Sequence, residues 1–135
     1  MPLRNINLLE VAAELDEFFV MWDVALIDDV AISVYLCQGR IAWHRHIDYA
    51  ELFWVQQGVL LLESEWGDIH LQSHELAVVP KGVTHRSRSL LSSTVLFFQP
   101  RLLVTRRDGD RRLFPWPDAR TGGPKWGTAQ GLPTA

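Results

Sequence analysis

The sequence predicts an all-β fold, either an antiparallel sandwich or a small β-barrel, with one short helix near the start of the chain. Three observations carry this prediction. Apolar and β-branched runs recur about every eight to twelve residues, with turn residues between them. A helical pattern of apolar residues occurs only before residue 23. Hydrophobic residues make up 47% of the 135 residues, which is enough for one packed core in a single domain.

Charge and composition narrow the function classes. The formal net charge is −3, and lysines and arginines are scattered until Arg101, which argues against a nucleic-acid-binding surface. The single cysteine, Cys37, excludes an internal disulfide and is expected to act as a small buried hydrophobe. Apolar runs are far shorter than the roughly 20 residues of a membrane span, and no signal-peptide core is evident. These features predict a soluble, cytoplasmic protein that binds neither nucleic acid nor membranes.

Residues 1–22 are expected to form an N-terminal helical arm. Asn7 can cap a helix over residues 7–22, and Glu10 stands three residues later, where it can reach back to the cap amide. Apolar residues then recur at intervals of three and four and form one stripe: Leu8, Val11, Ala12, Leu15, Phe18, Phe19 and Trp22. The aromatic members of this stripe are expected to dock the helix on a sheet.

Residues 23–104 are expected to form the β-barrel. Its predicted strands cover residues 24–27, 30–36, 41–46, 49–56, 59–64, 69–72, 76–80 and 94–99, with one more pairing at 102–104. Pro80 and Pro100 end two of them, because proline cannot donate to a strand ladder.

Residues 105–135 are expected to form an extended, partly flexible tail. The charged stretch over residues 106–112 contains a turn and reads as a solvated loop. Residues 114–135 are rich in proline and glycine, and Trp116 and Trp126 are expected to be its anchors.

Four residues in the barrel region have side chains that bind metals. His44 and His46 are one residue apart, so in an extended strand both side chains point to the same face. Glu51 opens the next apolar run, and His85 follows the turn after Pro80. Three imidazoles and one carboxylate suit iron, manganese, nickel, copper or zinc, with one or two coordination positions left open. The alternative is that these are ordinary strand residues, but a shared cation would remove the cost of burying them without partners.

The same residues resemble the two sequence motifs of the cupin superfamily. The resemblance to the first motif lies in Gly39-(four residues)-His44-x-His46-(four residues)-Glu51-(six residues)-Gly58. The resemblance to the second motif lies in Pro80-x-Gly82-x-x-His85. Over residues 6–112 the chain is also similar to small single-domain cupins of the cupin-2 type, often labelled mannose-6-phosphate-isomerase-like.

The resemblance implies a jelly-roll β-barrel, also described as a double-stranded β-helix. It also implies one divalent metal per chain, held by His44, His46, Glu51 and His85, a small-molecule ligand, and a homodimer. Two positions depart from the motif. His74 stands where the second motif opens with glycine, and Ser89 stands where an asparagine is usual.

Side chains alternate between the two faces of a strand, and this alternation predicts which way the residues around the motifs point. Tyr49 shares the parity of Glu51 and is expected to face the site as a catalytic proton donor or a substrate contact. Trp43 and Trp54 have the opposite parity and are expected to pack against another layer or a second subunit. Arg86 and Arg88 alternate with His85 and are expected to face away from it, and His70 and His74 are expected at the surface.

These patterns support two functions, and the residues do not choose between them. The first is a metalloenzyme acting on a small polar metabolite, by oxygenase, isomerase or lyase chemistry. The alternative is a non-catalytic binding or sensor protein for a sugar-like molecule, with a structural metal. A metal-free scaffold would leave the complete set of four candidate ligands unexplained.

Overall fold

A computed structural model describes residue 3, residues 5–100 and the backbone of residues 111–113. In these parts of the chain lie one helix and eight strands: α1 (Leu8–Glu14), β1 (Met21–Ile27), β2 (Val30–Arg40), β3 (Glu51–Gln57), β4 (Val59–Ser64), β5 (Ile69–Gln72), β6 (Leu76–Val79), β7 (His85–Pro100) and β8 (Arg111–Leu113). The predicted all-β class with one short N-terminal helix is confirmed. Among the described residues there is no helix long and apolar enough to cross a membrane.

The long strand β7 joins the two halves of a jelly-roll β-barrel. Its first part, from His85 to Arg88, pairs with β4, which in turn pairs with β5. Its second part pairs with β2 on one side and with β3 on the other, and β3 also pairs with β6. The strand order is β5-β4-β7-β2-β1-β8, and among the ladders between these described strands only that of β1 with β8 is parallel. Because β7 takes part in both halves, its first residue, His85, comes to lie beside Glu51 at the start of β3.

Alternation along β3 separates an inner and an outer apolar cluster. Phe53 and Val55 face the barrel interior and are buried there with Tyr35. Trp54 faces outward and packs on the cluster that includes Val11 of α1. Burial of each large apolar side chain contributes about 1.5–3 kcal/mol to the stability of the fold. The two clusters therefore stabilise the barrel and the packing of its helix. The prediction that Trp54 packs against another layer is confirmed.

The helix is shorter than the sequence predicted. Asn7 caps it as expected, because its side-chain oxygen accepts hydrogen bonds from two backbone N–H groups of the first turn at 2.9 and 3.2 Å. However, the helix ends at Glu14. Phe18 forms a parallel bridge with Leu36 of β2, and Trp22 already belongs to β1. The aromatic residues therefore reach the sheet through backbone pairing, which satisfies their N–H and C=O groups outside a helix.

The predicted strand over residues 41–46 is wrong, and β7 begins at His85 instead of at residue 94. After β2 ends at Arg40, ladder pairing is limited to one isolated bridge, in which His44 and His85 exchange backbone hydrogen bonds of 3.0 and 2.8 Å. The backbone N–H of Gly82 also donates to the carbonyl of His46 at 2.7 Å. These three bonds hold the loop over residues 41–50 against the turn that precedes β7.

Strand β8 corrects the prediction for part of the C-terminal loop. Arg111 and Arg112, which were expected in a solvated loop, pair in parallel with Met21 and Trp22 of β1. The predicted pairing at 102–104, the remainder of the predicted loop and the tail with its two tryptophans lie outside the described residues. The division into residues 1–22, 23–104 and 105–135 stays a prediction.

Candidate metal centre

The structure brings the four predicted ligands together. His44 and His46 lie on the loop after β2, Glu51 begins β3, and His85 begins β7. One donor atom from each side chain lies within 4.8 Å of the donor atoms of the other three. Glu51 and His85 are buried, with 4% and 1% of their surface exposed, and the two loop histidines are half-buried. These four residues, called the ligand cluster below, lie where the barrel interior meets the loop over residues 41–50.

Two of the three imidazoles are held by backbone carbonyl groups. Nδ1 of His44 lies 2.9 Å from the carbonyl oxygen of Ala42, and Nδ1 of His85 lies 2.8 Å from that of Val83. A carbonyl oxygen can only accept, so we assign the hydrogen to each Nδ1. Each ring then turns its Nε2 toward the ligand cluster, where this nitrogen could bind a metal. Anchors of this kind fix the tautomer and the orientation of metal-binding histidines.

The third imidazole, that of His46, is held by a side chain. Its Nδ1 lies 2.7 Å from the hydroxyl oxygen of Tyr49, and the two rings stack with centroids 4.6 Å apart. Its Nε2 lies 3.1 Å from Oε2 of Glu51. Tyr49 therefore lies behind a candidate ligand, on the side of the ring away from Glu51. Its role as a catalytic proton donor stays a prediction.

Glu51 connects the members of the ligand cluster. Its Oε1 lies 2.9 Å from Nε2 of His85, and its Oε2 faces His46. Burial opposes ionisation of this carboxyl group, but the hydrogen bonds from His46 and His85 outweigh burial and lower the pKa of Glu51 from 4.5 to about 2. The group is therefore a carboxylate at neutral pH, which is the form that binds a metal.

Sequence reasoning missed Gln99, a further partner of this carboxylate. The side-chain amide of Gln99 is buried and donates a hydrogen bond to Oε2 of Glu51. A polar residue at the end of an apolar strand is the signal that could have drawn attention to it. Its contact with Glu51 could not be predicted, because this contact depends on the register that sets Leu52 of β3 opposite Phe98 of β7.

Two of the histidines in the ligand cluster have opposite pKa shifts. Burial lowers the pKa of His44, so its ring is held neutral. Burial also acts on His85, but the hydrogen bonds to Glu51 and to the carbonyl of Val83 outweigh it and raise the pKa of His85. Without a metal, a protonated His85 can therefore balance the charge of Glu51. A divalent cation bound at this place would take over that role and displace the proton.

The spacing of the donor atoms fits a first-row divalent metal. With metal–ligand distances of about 2.1 Å, two ligand atoms at right angles around the metal lie about 3.0 Å apart. The oxygen atoms of Glu51 lie 3.1 Å from Nε2 of His46 and 2.9 Å from Nε2 of His85. Mixed nitrogen and oxygen donors suit iron, manganese, nickel, copper and zinc, and four protein ligands leave room for water or a substrate.

Arg86 and His74 have the orientations that the sequence predicted. Arg86 faces away from His85: it forms an ion pair with Glu63 at 2.8 Å, and its guanidinium group lies 4.5 Å from the ring centre of Trp43. His74 is exposed and has a φ of 72°, in the left-handed region that glycine adopts easily and that histidine tolerates better than most residues. The departure from the motif at His74 therefore preserves the backbone conformation.

A cleft of about 250 Å³ lies between β6 and the hairpin of β4 and β5. Ser64 and Val79 line it, and they are the cross-strand partners of His85 and Glu51. None of the four candidate ligands lines the cleft, and these cross-strand partners are the link between the cleft and the ligand cluster. Most of its other lining side chains are apolar, and Trp66 stands exposed at its rim.

This chain is similar in sequence to one curated protein and similar in fold to several solved structures. The uncharacterized protein YdbB of Bacillus subtilis is 31% identical over 91 residues, which cover 67% of this chain and 80% of YdbB. No protein-family model matches the chain. A cupin-2 domain protein from Shewanella frigidimarina has a similar crystal structure, with a TM-score of 0.69 and 27% identity, covering 71% of this chain and 94% of that one.

Hydroquinone 1,2-dioxygenase PnpCD, solved with Cd²⁺ and 4-hydroxybenzonitrile, has a TM-score of 0.62 and 16% identity, covering 70% of this chain and 71% of that one. At this identity the likeness concerns the fold alone. The label mannose-6-phosphate-isomerase-like finds no support among these proteins. The barrel topology, the ligand cluster and the similarity to cupin-2 proteins together show that this chain belongs to the cupin superfamily.

Proposed function

We propose that this cupin binds one first-row divalent metal per chain through His44, His46, Glu51 and His85 and acts on a small polar metabolite. The observation that carries the proposal is the convergence of three imidazoles and one ionised carboxylate, whose donor atoms all lie within 4.8 Å of one another and whose carboxylate oxygens lie about 3 Å from two of the imidazoles. If these residues served only to stabilise the fold, a well-packed apolar end of the barrel would do so at a lower free-energy cost.

The bound metal would act as a Lewis acid toward substrate oxygen atoms or, if it is iron, would support oxygen chemistry. The protein would contribute orientation and charge. Carbonyl groups hold the rings of His44 and His85, and Gln99 holds the carboxylate of Glu51. The cleft between β6 and the hairpin of β4 and β5 offers an apolar wall along which the body of a small substrate could lie.

A choice among oxygenase, isomerase and lyase chemistry requires a substrate screen. The dioxygenase neighbour makes oxygen chemistry on a phenol-like molecule the first reaction to test, and its low identity leaves the other two classes open. Oxygen uptake by the iron-loaded protein and product formation by the manganese-loaded protein, followed by mass spectrometry, would reveal turnover. Saturable binding without any product would support the alternative of a binding or sensor cupin.

One observation favours that alternative. The hydroxyl group of Tyr49, the predicted proton donor, lies 2.7 Å from Nδ1 of His46 and is thereby engaged in holding a ligand. A hydroxyl group that orients a candidate metal ligand helps a site to retain a metal and a bound molecule. The screen described above separates the two functions, because a sensor would show binding only.

The metal assignment itself is tested by elemental analysis of purified protein. We expect close to one transition-metal ion per chain, and His85→Ala should lose most of it, because this substitution removes a buried ligand. His70→Ala is the matched control, since His70 is an exposed histidine outside the ligand cluster. Equal metal content in the two variants would contradict the assignment.

We further propose a cytoplasmic homodimer. Leu76 and Val78 are exposed on β6, which pairs only with β3 within the described chain. An exposed apolar edge strand suits a second subunit. Light scattering after size exclusion would give a dimer mass, and Val78→Lys should reduce it to that of one chain. A monomer for the unmodified protein would refute the dimer without affecting the metal assignment.

A further inference from the structure

The three imidazoles of the ligand cluster are anchored in two chemically different ways: two by backbone carbonyl groups and one by a hydroxyl group. His44 and His85 each donate from Nδ1 to the carbonyl oxygen of the residue two positions earlier, at 2.9 and 2.8 Å. Because these oxygens can only accept, both rings keep a hydrogen on Nδ1 and turn Nε2 toward the ligand cluster. The hydrogen on Nδ1 of these two rings is therefore set before a metal arrives.

The anchor of His46 imposes no such restriction. The Tyr49 hydroxyl group, 2.7 Å from Nδ1 of His46, can either donate or accept a hydrogen bond. On the other side of the ring, Nε2 lies 3.1 Å from the carboxylate of Glu51. A carboxylate is an acceptor only, so without a metal the hydrogen of the neutral ring lies on Nε2. Nδ1 then accepts from Tyr49.

Metal binding requires the opposite tautomer of His46. Nε2 must lose its hydrogen to become a ligand, and a neutral ring then carries its hydrogen on Nδ1. One proton leaves Nε2 and one arrives at Nδ1, so the charge of the ring does not change. The side chain of His46 is 23% exposed, which allows both protons to exchange with water.

We propose that Tyr49 is a positioning residue that allows His46 to change tautomer as the metal binds. Its hydroxyl group donates to Nδ1 in the metal-free site and accepts from Nδ1 in the loaded site. The stacked tyrosine ring keeps the imidazole in place during the change, with the two planes inclined by 25°. This inference rests on the proposed metal centre and adds to it the residue that controls how firmly the metal is retained.

Tyr49→Phe is the variant that separates the hydroxyl group from the ring. It keeps the stacked ring and removes the hydroxyl group that can accept from Nδ1 of His46. Loss of such a partner lowers metal affinity by about 10- to 100-fold in other sites, so we expect the variant to release zinc about tenfold faster or more. Tyr35→Phe is the matched control, because the hydroxyl group of Tyr35 contacts Ser87 inside the barrel.

The experiment loads the full chain with Zn²⁺ and follows its transfer to a chromophoric chelator. Faster release from Tyr49→Phe than from Tyr35→Phe and the unmodified protein supports the inference, and equal release rates overturn it. If the unmodified protein retains no zinc, or if His85→Ala retains as much as the unmodified protein, the proposed metal centre itself fails. The two failures are thereby distinguished.

Nitrogen NMR of the histidine rings tests the tautomer change without any Tyr49 variant. At pH 8, long-range correlations should place the hydrogen of His46 on Nε2 in the metal-free protein and on Nδ1 in the zinc-loaded protein. His44 should carry its hydrogen on Nδ1 in both states. A His46 ring that has the Nδ1–H tautomer before zinc is added would overturn the inference.

Discussion

Replacing Glu51 by glutamine should destabilise the metal-free protein by about 3 kcal/mol at neutral pH. The carboxyl group has a pKa of about 2 in the folded protein against an ordinary value of 4.5. Each unit of difference corresponds to about 1.36 kcal/mol, so a difference of 2.5 units gives roughly 3 kcal/mol of stabilisation for the ionised form. Glutamine has nearly the same shape but no charge. Its amide also offers one acceptor oxygen where the carboxylate offers two.

The pH dependence of this effect identifies its cause. Because the folded-state pKa is depressed, the stabilisation by Glu51 is fully present above pH 4.5 and is lost as the pH falls through about 2. The difference between the unmodified protein and Glu51→Gln should therefore shrink between pH 4.5 and pH 2. Urea unfolding of chelator-treated protein, followed by tryptophan fluorescence at a series of pH values, measures both quantities.

Glu63→Gln is the control for this experiment. Glu63 forms an ion pair with Arg86 outside the ligand cluster, where solvent screens the interaction, so its loss should matter less than that of Glu51. Two results would refute the reasoning. One is a Glu51→Gln variant as stable at neutral pH as the unmodified protein without metal. The other is a destabilisation that does not decrease below pH 4.5.

Three further predictions follow from the same geometry. Zinc affinity should fall as the pH decreases from 8 to 6, because protons compete for His85, whose pKa is raised; chelator competition that shows no change over this range would contradict this. Gln99→Leu should lower zinc affinity about tenfold with an unchanged circular dichroism spectrum, because Glu51 loses a hydrogen-bond donor; an unaltered affinity would argue against it. Cys37 is buried, which raises its pKa to about 12, so it should react with a thiol reagent at pH 8 only after unfolding; rapid reaction of the folded protein would disprove its burial.

The candidate ligands could be predicted because their arrangement depends mainly on local spacing. His44 and His46 are two positions apart, so they lie on one side of any extended segment, whether or not that segment pairs in a sheet. The predicted strand over residues 41–46 is therefore wrong while the histidines still share one side. The position of Glu51 at the start of an apolar strand was also visible, since β-branched and aromatic residues follow it.

Features that depend on contacts distant in sequence could not be predicted. The first half of β7 carries alternating arginine and serine residues, and its strand conformation comes from pairing with β4, which no local pattern indicates. The contact of Gln99 with Glu51 depends on the register between β7 and β3, and a shift of one residue would turn the amide to the other face. The hydrogen bond between Tyr49 and His46 lies within a loop, where parity gives no guidance.

The ligand cluster is built so that the barrel can fold before it holds a metal. Both apolar clusters, around Tyr35 inside and Val11 outside, are formed by residues other than the four candidate ligands. The charge of Glu51 is balanced by hydrogen bonds from His46 and His85, so the carboxylate has partners without a cation. A metal bound at this site would therefore exchange with protons in a folded protein, and its binding would add stability by mass action instead of creating the fold.

This arrangement also explains why two ligands lie on a loop. Glu51 and His85 belong to strands and are buried, so they cannot move apart without disturbing the barrel. His44 and His46 are half-buried, and backbone bonds tie their loop to His85 and to Gly82. A rigid pair of buried ligands with a more accessible pair on a tethered loop allows an ion to enter from solvent while the strand ligands keep their geometry.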